Sequence, residues 1–193
     1  AVMAELVDKE NGIIRLFTPP FDDTDKDPGY IAAYPPGVRE NGGQYTHAAT
    51  WVVMALAELG RGDDAFACFS LLNPVGHSLD AEAAETYRVE PYVVAADVYG
   101  AADRTGRGGW SWYTGSAGWL YRSAVEGILG IRKFGNRLQV KPALPAQWPG
   151  FEAEIRLGER RRTLTVTRGA DGAYAIALDG LALSDPQAGF DID

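Results

Sequence analysis

The sequence predicts an α+β fold, in which a two-layer helical array of the (α/α) toroid kind is followed by a small antiparallel β module. Up to residue 130 the chain alternates apolar, Ala-rich helical runs with long loops of Gly, Pro and Asp. From residue 138 apolar and polar residues alternate with a period of two, which is typical of half-buried strands. We therefore predict a partial helical barrel over 1–130 and a β module over 131–193.

Five helical segments are predicted in the first part, too few to close a barrel of six helical hairpins. The run 48–59 is apolar on nearly all sides, as in a helix buried on every face. The remaining segments are a helix capped by Asp63 or Asp64, a stretch over 80–86, one over 92–99 and one that opens at Thr114 and stops at Gly130. The chain begins inside a helical pattern without an initiator methionine, so we expect a piece of a longer protein.

The second part reads as strands joined by short turns. Residues 169–172 read as a hairpin turn, and the tail from Ala182 gives no readable pattern. The alternating segments lie at 138–141, 154–157, 162–167 and 174–178.

Composition indicates a folded globular protein without a nucleic-acid partner. Hydrophobic residues make up 46% and charged residues 23% of the 193, and the net charge is −8. Duplex binding depends on neutralising phosphates with Lys and Arg, which this balance does not favour. Cys68, the single cysteine, lies in an apolar run and is predicted to be a buried structural thiol. There is no metal-ligand pattern and no apolar run of about 18 residues, so we expect no metal, no cofactor and a cytoplasmic location.

The segment 39–47, RENGGQYTH, is the first candidate binding site. Its two glycines let backbone approach a ligand closely, and the adjacent charges of Arg39 and Glu40 are suited to orient polar groups. His47 begins an all-apolar helix, and the free N–H groups of a helix N-terminus bind anions. A structural alternative stays open, in which Thr46 caps the helix and His47 is a hydrogen-bonded core histidine.

The segment 108–122, GGWSWYTGSAGWLYR, is the second candidate. Aromatic rings stack on the apolar faces of sugars, but they also build cores. Thr114 and Ser116 bring hydroxyl groups to a helix N-terminus, again a position suited to an anion. Helix capping with core packing is the alternative, and Gly-Gly before W-x-W favours a ligand. The aromatic residues crowded here are Trp110, Trp112, Tyr113 and Trp119.

Polar residues in two other segments are less suited to a catalytic or binding role. Arg88 and Glu90, within YRVEPY, are predicted to form an ion pair that holds a loop. His77 lies in a loop without a ligand partner near it in sequence, so a solvated or hydrogen-bonding role is expected.

Three motifs in order, at 34–47, 87–92 and 109–117, resemble the glycoside hydrolase family 94 phosphorylases. That family includes cellobiose and chitobiose phosphorylases, and RENGGQYTH is most similar to the cyclic β-1,2-glucan synthase branch. The resemblance covers residues 1–165 and implies the C-terminal part of an (α/α)6 toroid followed by a β module. It also implies inverting phosphorolysis of a β-linked glucan or disaccharide, with inorganic phosphate as co-substrate in place of the base-activated water of an inverting hydrolase.

The resemblance implies roles for individual residues as well. His47, Thr114 and Gly115 are expected to bind phosphate. The residues expected to contact the sugar are Arg39, Glu40, Tyr34, Gln44 and Trp112.

No residue of this chain is assigned as the general acid. The family's catalytic aspartate precedes the histidine motif by a longer distance than this chain provides, and the motif is matched by none of Asp22, Asp23, Asp25 and Asp27. The expected partners are a carbohydrate, inorganic phosphate and the upstream part of the same catalytic domain, with a homodimer and a membrane-attached parent protein compatible with the family. Two alternatives stay open: a non-catalytic carbohydrate-binding or structural fragment, and a hydrolase on a similar toroid with Glu40 as its base.

Overall fold

The computed structural model describes residues 1–22, 25 and 27–191, and the protein has an α+β fold, as predicted. The chain divides into two compact units, one of residues 1–53 with 67–123 and one of residues 54–66 with 124–193. The two units are defined by contacts between residues, whereas the predicted domains 1–130 and 131–193 are defined by sequence pattern. The units therefore do not test the domain boundaries, which stay a prediction. Ile192 and Asp193, the end of the predicted β module, lie outside the described residues.

The helices of the described residues fall in the first two thirds of the chain. They are α1 (Val2–Glu5), α2 (Thr46–Glu58), α3 (Gly62–Leu72), α4 (Ala81–Tyr87) and α5 (Thr114–Arg122), with short 3-10 helices at Gly29–Ala33 and Gly76–Ser78 and a π-helical turn at Ser123–Ile128 after α5. The strands of the same part are β1 (Val7–Asp8), β2 (Ile13–Ile14), β3 (Gln44–Tyr45) and β4 (Asp97–Val98).

Local signals account for the start of α4 and for the end of the helical turn after α5. The Asp80 side chain caps α4 by accepting a hydrogen bond from the Ala83 N–H at 2.8 Å. The helical turn after α5 ends close to Gly130, which adopts a φ of 71°. Helix α2 is confirmed, but it is not buried on every face, since Trp51 is 53% exposed. The predicted cap of α3 is wrong: the helix begins at Gly62, ahead of both aspartates.

The predicted helix over 92–99 is also wrong, because this segment contains no helix and ends in a short strand. Its residues 97–98 form β4, which pairs antiparallel with β3 and, on its other side, bridges to Gly108. The backbone of 96–99 also bonds the segment 107–110. We call β3, β4 and the segment 108–110 the ladder. Each of the three sequence motifs leads into the ladder or forms part of it.

The ladder lies over a small apolar cluster. Ile13, Tyr87, Ala95 and Val98 pack together, with Val89 against them. Cys68 is fully buried, which confirms that prediction. Among the described residues, no helix combines the length and the apolar character needed to cross a lipid bilayer.

The second unit contains two antiparallel sheets, which confirms the predicted β module. The strands are β5 (Ile131–Phe134), β6 (Arg137–Val140), β7 (Gly150–Leu157), β8 (Arg160–Arg168), β9 (Tyr174–Leu178), β10 (Leu181–Ala182) and β11 (Phe190–Asp191). One sheet has the order β10-β9-β8-β7 and the other β11-β6-β5. Alternate residues of β8 and β9 are buried, as the period of two predicts; they are Leu164, Val166, Ile176 and Leu178. Strand β11 and the last residue of β10 lie in the tail that gave no sequence pattern.

Candidate functional site

The ladder brings the starts of two helices side by side. Strand β3 runs directly into α2, and the segment 108–110 is followed four residues later by α5. Because both outer strands are antiparallel to β4, they run in the same direction, so α2 and α5 begin at the same edge. Two strand spacings separate the outer strands by about 10 Å. The two predicted phosphate-binding positions, His47 and Thr114, therefore start neighbouring helices.

The His47 ring contacts two tryptophan rings, which also contact each other with centroids 5.7 Å apart. It stacks on Trp119 of α5, with ring centroids 5.6 Å apart, and meets Trp51 edge-on at 5.2 Å. Its Nε2 atom is buried and has no hydrogen-bond partner among the described residues. A buried polar atom without a partner costs about 1–3 kcal/mol. The binding role of His47 stays a prediction.

The N-terminus of α5 is open to a ligand. Thr114 and Gly115 are its first two residues and both are exposed. The preceding Tyr113 makes no side-chain capping hydrogen bond, and nothing lies within 4 Å of the position that a Cβ on Gly115 would take. The first N–H groups of a helix lack intrahelical partners, so this end of α5 can receive an anion.

Arg39 and Glu40 occupy the tip of a tight turn. The Asn41 N–H donates to the Val38 carbonyl at 2.9 Å, and Arg39 has a φ of 48°. The side chain of Asn41 is buried and hydrogen-bonds the backbone of Phe21 and the carbonyl of Tyr34 at 2.7–2.8 Å. The turn is thereby anchored to the long loop that precedes it.

An aromatic row runs from this turn to the start of α5, and we define it as Tyr34, Arg39, Trp110 and Tyr113. The Arg39 guanidinium lies 4.3 Å from the Trp110 ring centroid and 5.5 Å from that of Tyr34. Trp110 meets Tyr113 edge-on at 6.0 Å, and Tyr113 directly precedes Thr114. Two of the predicted sugar contacts, Tyr34 and Arg39, are thus linked through contacting side chains to Tyr113, the residue before the predicted phosphate-binding Thr114.

Arg39 and Glu40 form an ion pair in which the two facing atoms make no hydrogen bond. Arg39 Nε lies 3.6 Å from Glu40 Oε2, which is an ion-pair distance but too long for a hydrogen bond. Both atoms are buried, and neither has a hydrogen-bond partner among the described residues. Burial, with the Glu40 charge as the next cause, raises the pKa of the nearby Tyr45 hydroxyl. Arg39 Nε and Glu40 Oε2 thus form an ion pair without a hydrogen bond, and contact of the pair with a sugar stays a prediction.

Asp97 is a residue that sequence reasoning missed. It is almost completely buried at the centre of the ladder, and its Oδ1 accepts a hydrogen bond from the Trp110 N–H at 3.1 Å. Burial raises the pKa of its carboxyl group, although the Trp110 N–H and the Arg39 charge oppose that effect. Gly109 leaves room for it, since a Cβ there would lie 2.6 Å from Asp97 Cγ. A lone carboxylate within the apolar run YVVAADVY was the available signal.

Gln44 has a structural use for its amide. The side chain is buried, its Oε1 accepts from the Ile14 N–H at 2.8 Å, and its Nε2 donates to Thr46 Oγ1 at 3.3 Å. These bonds join β2 to the start of α2. Contact between Gln44 and a sugar stays a prediction.

The predicted Arg88–Glu90 ion pair is wrong. Arg88 instead pairs with Glu85 of α4, while Glu90 Oε1 accepts a hydrogen bond from Trp112 Nε1 at 2.9 Å. Trp112, a predicted sugar contact, is 67% exposed and has a φ of 62°. Glu90 therefore holds the W-x-W segment.

The other polar positions have local roles. The ring of His77 stacks on Tyr87 at 4.6 Å, and its Nε2 lies 2.6 Å from the Leu71 carbonyl oxygen, which confirms the hydrogen-bonding role. Asp27 accepts a hydrogen bond from the Gly29 N–H at 2.8 Å. Asp23 lies outside the described residues.

Comparison with known proteins agrees with these motifs. Residues 1–130 match the glycosyl hydrolase 94 superfamily, catalytic domain. The chain is 64% identical over 168 residues, 87% of its length, to the cyclic beta-(1,2)-glucan synthase NdvB of Rhizobium meliloti (strain 1021). It is 36% identical over 140 residues, 72% of its length, to the N,N'-diacetylchitobiose phosphorylase of Vibrio furnissii, and 27% identical over 152 residues, also 72%, to the 1,2-beta-oligoglucan phosphorylase of Listeria innocua. It spans 6%, 17% and 14% of the lengths of these three proteins. The match over two thirds of the sequence shows that the chain belongs to the glycosyl hydrolase 94 superfamily.

Proposed function

We propose that this chain supplies the phosphate-binding and sugar-binding part of an inverting glycoside phosphorylase that acts on a β-linked glucan. The observation that carries the proposal is the pairing of α2 and α5, whose starts lie at one edge of the ladder with His47 against Trp119. A buried, unpartnered imidazole nitrogen on one helix and an open N-terminus on the next are suited to one small anion.

The sugar side of the proposal depends on the aromatic row. Its rings offer faces for a pyranose, and the Arg39–Glu40 pair offers a donor and an acceptor for its hydroxyl groups. A β-1,2-linked glucan is the favoured substrate, because the names of two relatives, a cyclic beta-(1,2)-glucan synthase and a 1,2-beta-oligoglucan phosphorylase, share that linkage.

In an inverting phosphorolysis, phosphate attacks the anomeric carbon while a carboxylic acid protonates the departing glycosidic oxygen. His47 and the first N–H groups of α5 would hold the phosphate oxygens and reduce their charge repulsion with the substrate. Arg39 and Glu40 would orient the sugar that leaves. The proposal gives no residue of this chain the role of general acid, and Asp97 is too deeply buried behind Gly109 to take it.

Phosphate binding provides the direct test. We expect His47→Asn and Thr114→Ala each to raise the dissociation constant for inorganic phosphate about tenfold or more, the usual effect of losing a hydrogen bond to a charged group. Tyr121→Ala is a matched control, since Tyr121 is an exposed residue of the same helix α5, and it should leave the affinity unchanged. Equal affinities in all four proteins, measured by calorimetry, would exclude this phosphate site.

Turnover separates a phosphorylase from a non-catalytic module. We expect phosphorolysis of a β-1,2-glucan only when the upstream part of the catalytic domain is present with this chain, and sugar phosphate as its product. Activity that never depends on His47 would refute the assignment. In the active protein, Glu40→Gln should weaken sugar binding. If the native protein instead releases free sugar in the absence of phosphate, and Glu40→Gln abolishes that hydrolysis, the hydrolase alternative with Glu40 as base is supported.

A further inference from the structure

The buried carboxyl group of Asp97 makes a hydrogen bond that strand pairing does not require. Backbone bonds already pair β4 with the segment 108–110. The Ala96 N–H donates to the Trp110 carbonyl at 2.6 Å, and the Gly109 N–H donates to the carbonyl of residue 97 at 2.8 Å. Asp97 Oδ1 adds a side-chain bond, which it accepts from the Trp110 N–H at 3.1 Å. This additional bond immobilises one particular residue, Trp110.

The ladder is built around this carboxyl group at a cost in stability. Only glycine fits at position 109, since a Cβ there would lie 2.6 Å from Asp97 Cγ, and glycine loses more chain entropy on folding than other residues. Burial raises the pKa of the Asp97 carboxyl group, so its ionised form is unfavourable in the fold. Features that lower stability in this way are typical of functional regions, which indicates a use for Asp97 beyond holding two strands together.

Trp110 in turn restrains the side chain of Arg39. The Trp110 indole is 58% exposed, so its direction depends on its backbone more than on packing. Its ring centroid lies 4.3 Å from the Arg39 guanidinium, within the range of a cation–π contact, whereas the Tyr34 ring is 5.5 Å away. In the part of the chain that the structure describes, Arg39 Nε has no hydrogen-bond partner, and it lies 3.6 Å from Glu40 Oε2. The Trp110 ring is therefore the nearest restraint on the guanidinium apart from the ion pair.

The backbone of the turn that carries Arg39 is fixed to the same strand as Asp97. The Gly100 N–H, just beyond β4, donates to the Gly37 carbonyl at 2.7 Å. The approach is close, since a Cβ on Gly37 would lie 2.6 Å from the Cα of residue 101. The turn and Trp110 are thus both attached to β4, on separate bonds. A shift of Trp110 relative to β4 would change the distance between its ring and the Arg39 guanidinium.

We propose that Asp97 is a positioning residue for sugar binding: it holds the backbone of Trp110, and through the Trp110 ring it sets the position of the Arg39 guanidinium. The inference rests on the proposed function, because the use of Arg39 for a sugar comes from there. Asp97 touches no substrate in this role. Its loss should weaken sugar binding and leave phosphate binding at His47 and Thr114 unchanged.

Two resonances of the free ¹⁵N-labelled chain report the positioning without any ligand. They are the Trp110 indole N–H and the Arg39 Nε–H, assigned with Trp110→Phe and Arg39→Lys. Asp97→Ala should move both resonances, and so should Asp97→Leu, which fills the same space without an acceptor and avoids a cavity. Asp97→Asn keeps an acceptor oxygen for the Trp110 N–H and should return both close to their native positions. Unmoved resonances in the alanine and leucine variants would overturn the proposal.

Tyr87→Phe is the matched control for a lost buried polar group. Tyr87 is buried in the cluster under the ladder, and its hydroxyl group hydrogen-bonds the backbone of Ala95. Its loss should lower the unfolding midpoint and leave the Trp110 and Arg39 resonances in place. If Tyr87→Phe moves them as far as Asp97→Ala does, the resonances follow general loosening of the ladder and the positioning role is refuted.

Calorimetry with a β-1,2-linked glucose disaccharide and with inorganic phosphate tests the consequence for binding. Asp97→Ala and Asp97→Leu should each raise the disaccharide dissociation constant about tenfold, with the phosphate constant unchanged, and Asp97→Asn should restore most of the affinity. Tyr87→Phe should change neither constant. A parallel loss of both ligands in the alanine and leucine variants would show a general structural role and overturn the proposal.

A double-mutant cycle with Arg39→Ala tests the route of the effect. Because Asp97 acts through Arg39, adding Asp97→Ala to Arg39→Ala should cost no further disaccharide affinity, and additive losses would contradict this route. The outcomes also separate this inference from the proposed function. Moved resonances in a chain that binds no disaccharide would retain the positioning of Arg39 and refute the sugar-binding function. Unmoved resonances in a chain that binds both ligands would retain the function and refute the positioning.

Discussion

Gly109→Ala is expected to destabilise the ladder strongly, although it adds only one methyl group. The new Cβ would lie 2.6 Å from Asp97 Cγ, whereas carbon atoms in contact are about 3.5–4.0 Å apart, so the carboxylate has to move by about 1 Å. Asp97 is buried and accepts from the Trp110 N–H, so this shift also strains that hydrogen bond. Overpacking costs about 1–3 kcal/mol and a damaged bond to a buried charged group about 1–3 more. We therefore expect the free energy of unfolding to fall by about 2–6 kcal/mol.

The assay is urea unfolding, with amide hydrogen exchange at Gly109 and Trp110 as the local readout of ladder stability. Gly118→Ala is the matched control, because Gly118 lies in α5 with nothing within 4 Å of the added Cβ, and alanine there should stabilise the helix by about 0.5–1 kcal/mol. Asp97→Ala in the Gly109→Ala background should recover part of the lost stability, since it removes the clashing group. If Gly109→Ala unfolds at the same urea concentration as the native chain, the packing argument is refuted.

Three other predictions concern charge and burial. The pKa of Asp97 is raised above 3.8, so its neutral form stabilises the fold below pH 3.8, and this stabilisation is lost as the pH rises through the folded-state pKa. The Asp97→Asn variant should therefore become more stable relative to the native chain as the pH approaches neutral. Unfolding midpoints measured across this pH range check the prediction. A hydrogen bond from Arg132, opposed by burial, holds the pKa of Glu58 below 4.5, so the Glu58 carboxylate stabilises the fold above pH 4.5 and this stabilisation is lost as the pH falls through the lowered pKa. Because the Glu58 side chain is 43% exposed, Glu58→Gln should lower the free energy of unfolding by only about 0.2–1 kcal/mol at neutral pH. Cys68 should react with a thiol reagent only at the rate of unfolding, which absorbance of the released label measures.

Each of these predictions has an outcome that contradicts it. A constant stability difference between Asp97→Asn and the native chain across that pH range would mean that the carboxyl titrates alike in the folded and unfolded states. Loss of more than about 2 kcal/mol in Glu58→Gln would show a structural role beyond an exposed ion pair. Rapid labelling of Cys68 in native buffer would show that its surroundings open without global unfolding.

Elements with local signals were predictable from sequence, and elements made by distant backbone were not. Asp80 caps α4 and Gly130 follows the turn after α5, and both signals lie within a few residues of the ends that they mark. The run 92–99 is apolar without a clear period, which fits a buried helix or a buried strand equally well. Its conformation is decided by backbone partners in β3 and in 108–110, which a local window does not contain.

The candidate site also contains residues that the sequence identified and one residue that depends on distant partners. The residue patterns of 39–47 and 108–122 singled out His47, Thr114, Arg39 and Glu40, and the resemblance implied their individual roles. The structure brings their helices and turn into one connected region, while their binding roles stay predictions. Asp97 was missed because its importance depends on Gly109 and Trp110, which pack against it only after the strands pair.

The ladder also has a consequence for the order of folding. Its pairing of β4 with 108–110 closes a loop of roughly ten residues, whereas its pairing of β4 with β3 closes one of roughly fifty, which is less favourable by about 1.5 kcal/mol of loop-closure entropy. The hairpin that includes Asp97 and Gly109 should therefore form early, and β3 should dock onto it late in the folding transition. His47 follows β3 directly, so a ligand that binds it would stabilise the last part of the ladder to assemble and slow unfolding from that edge.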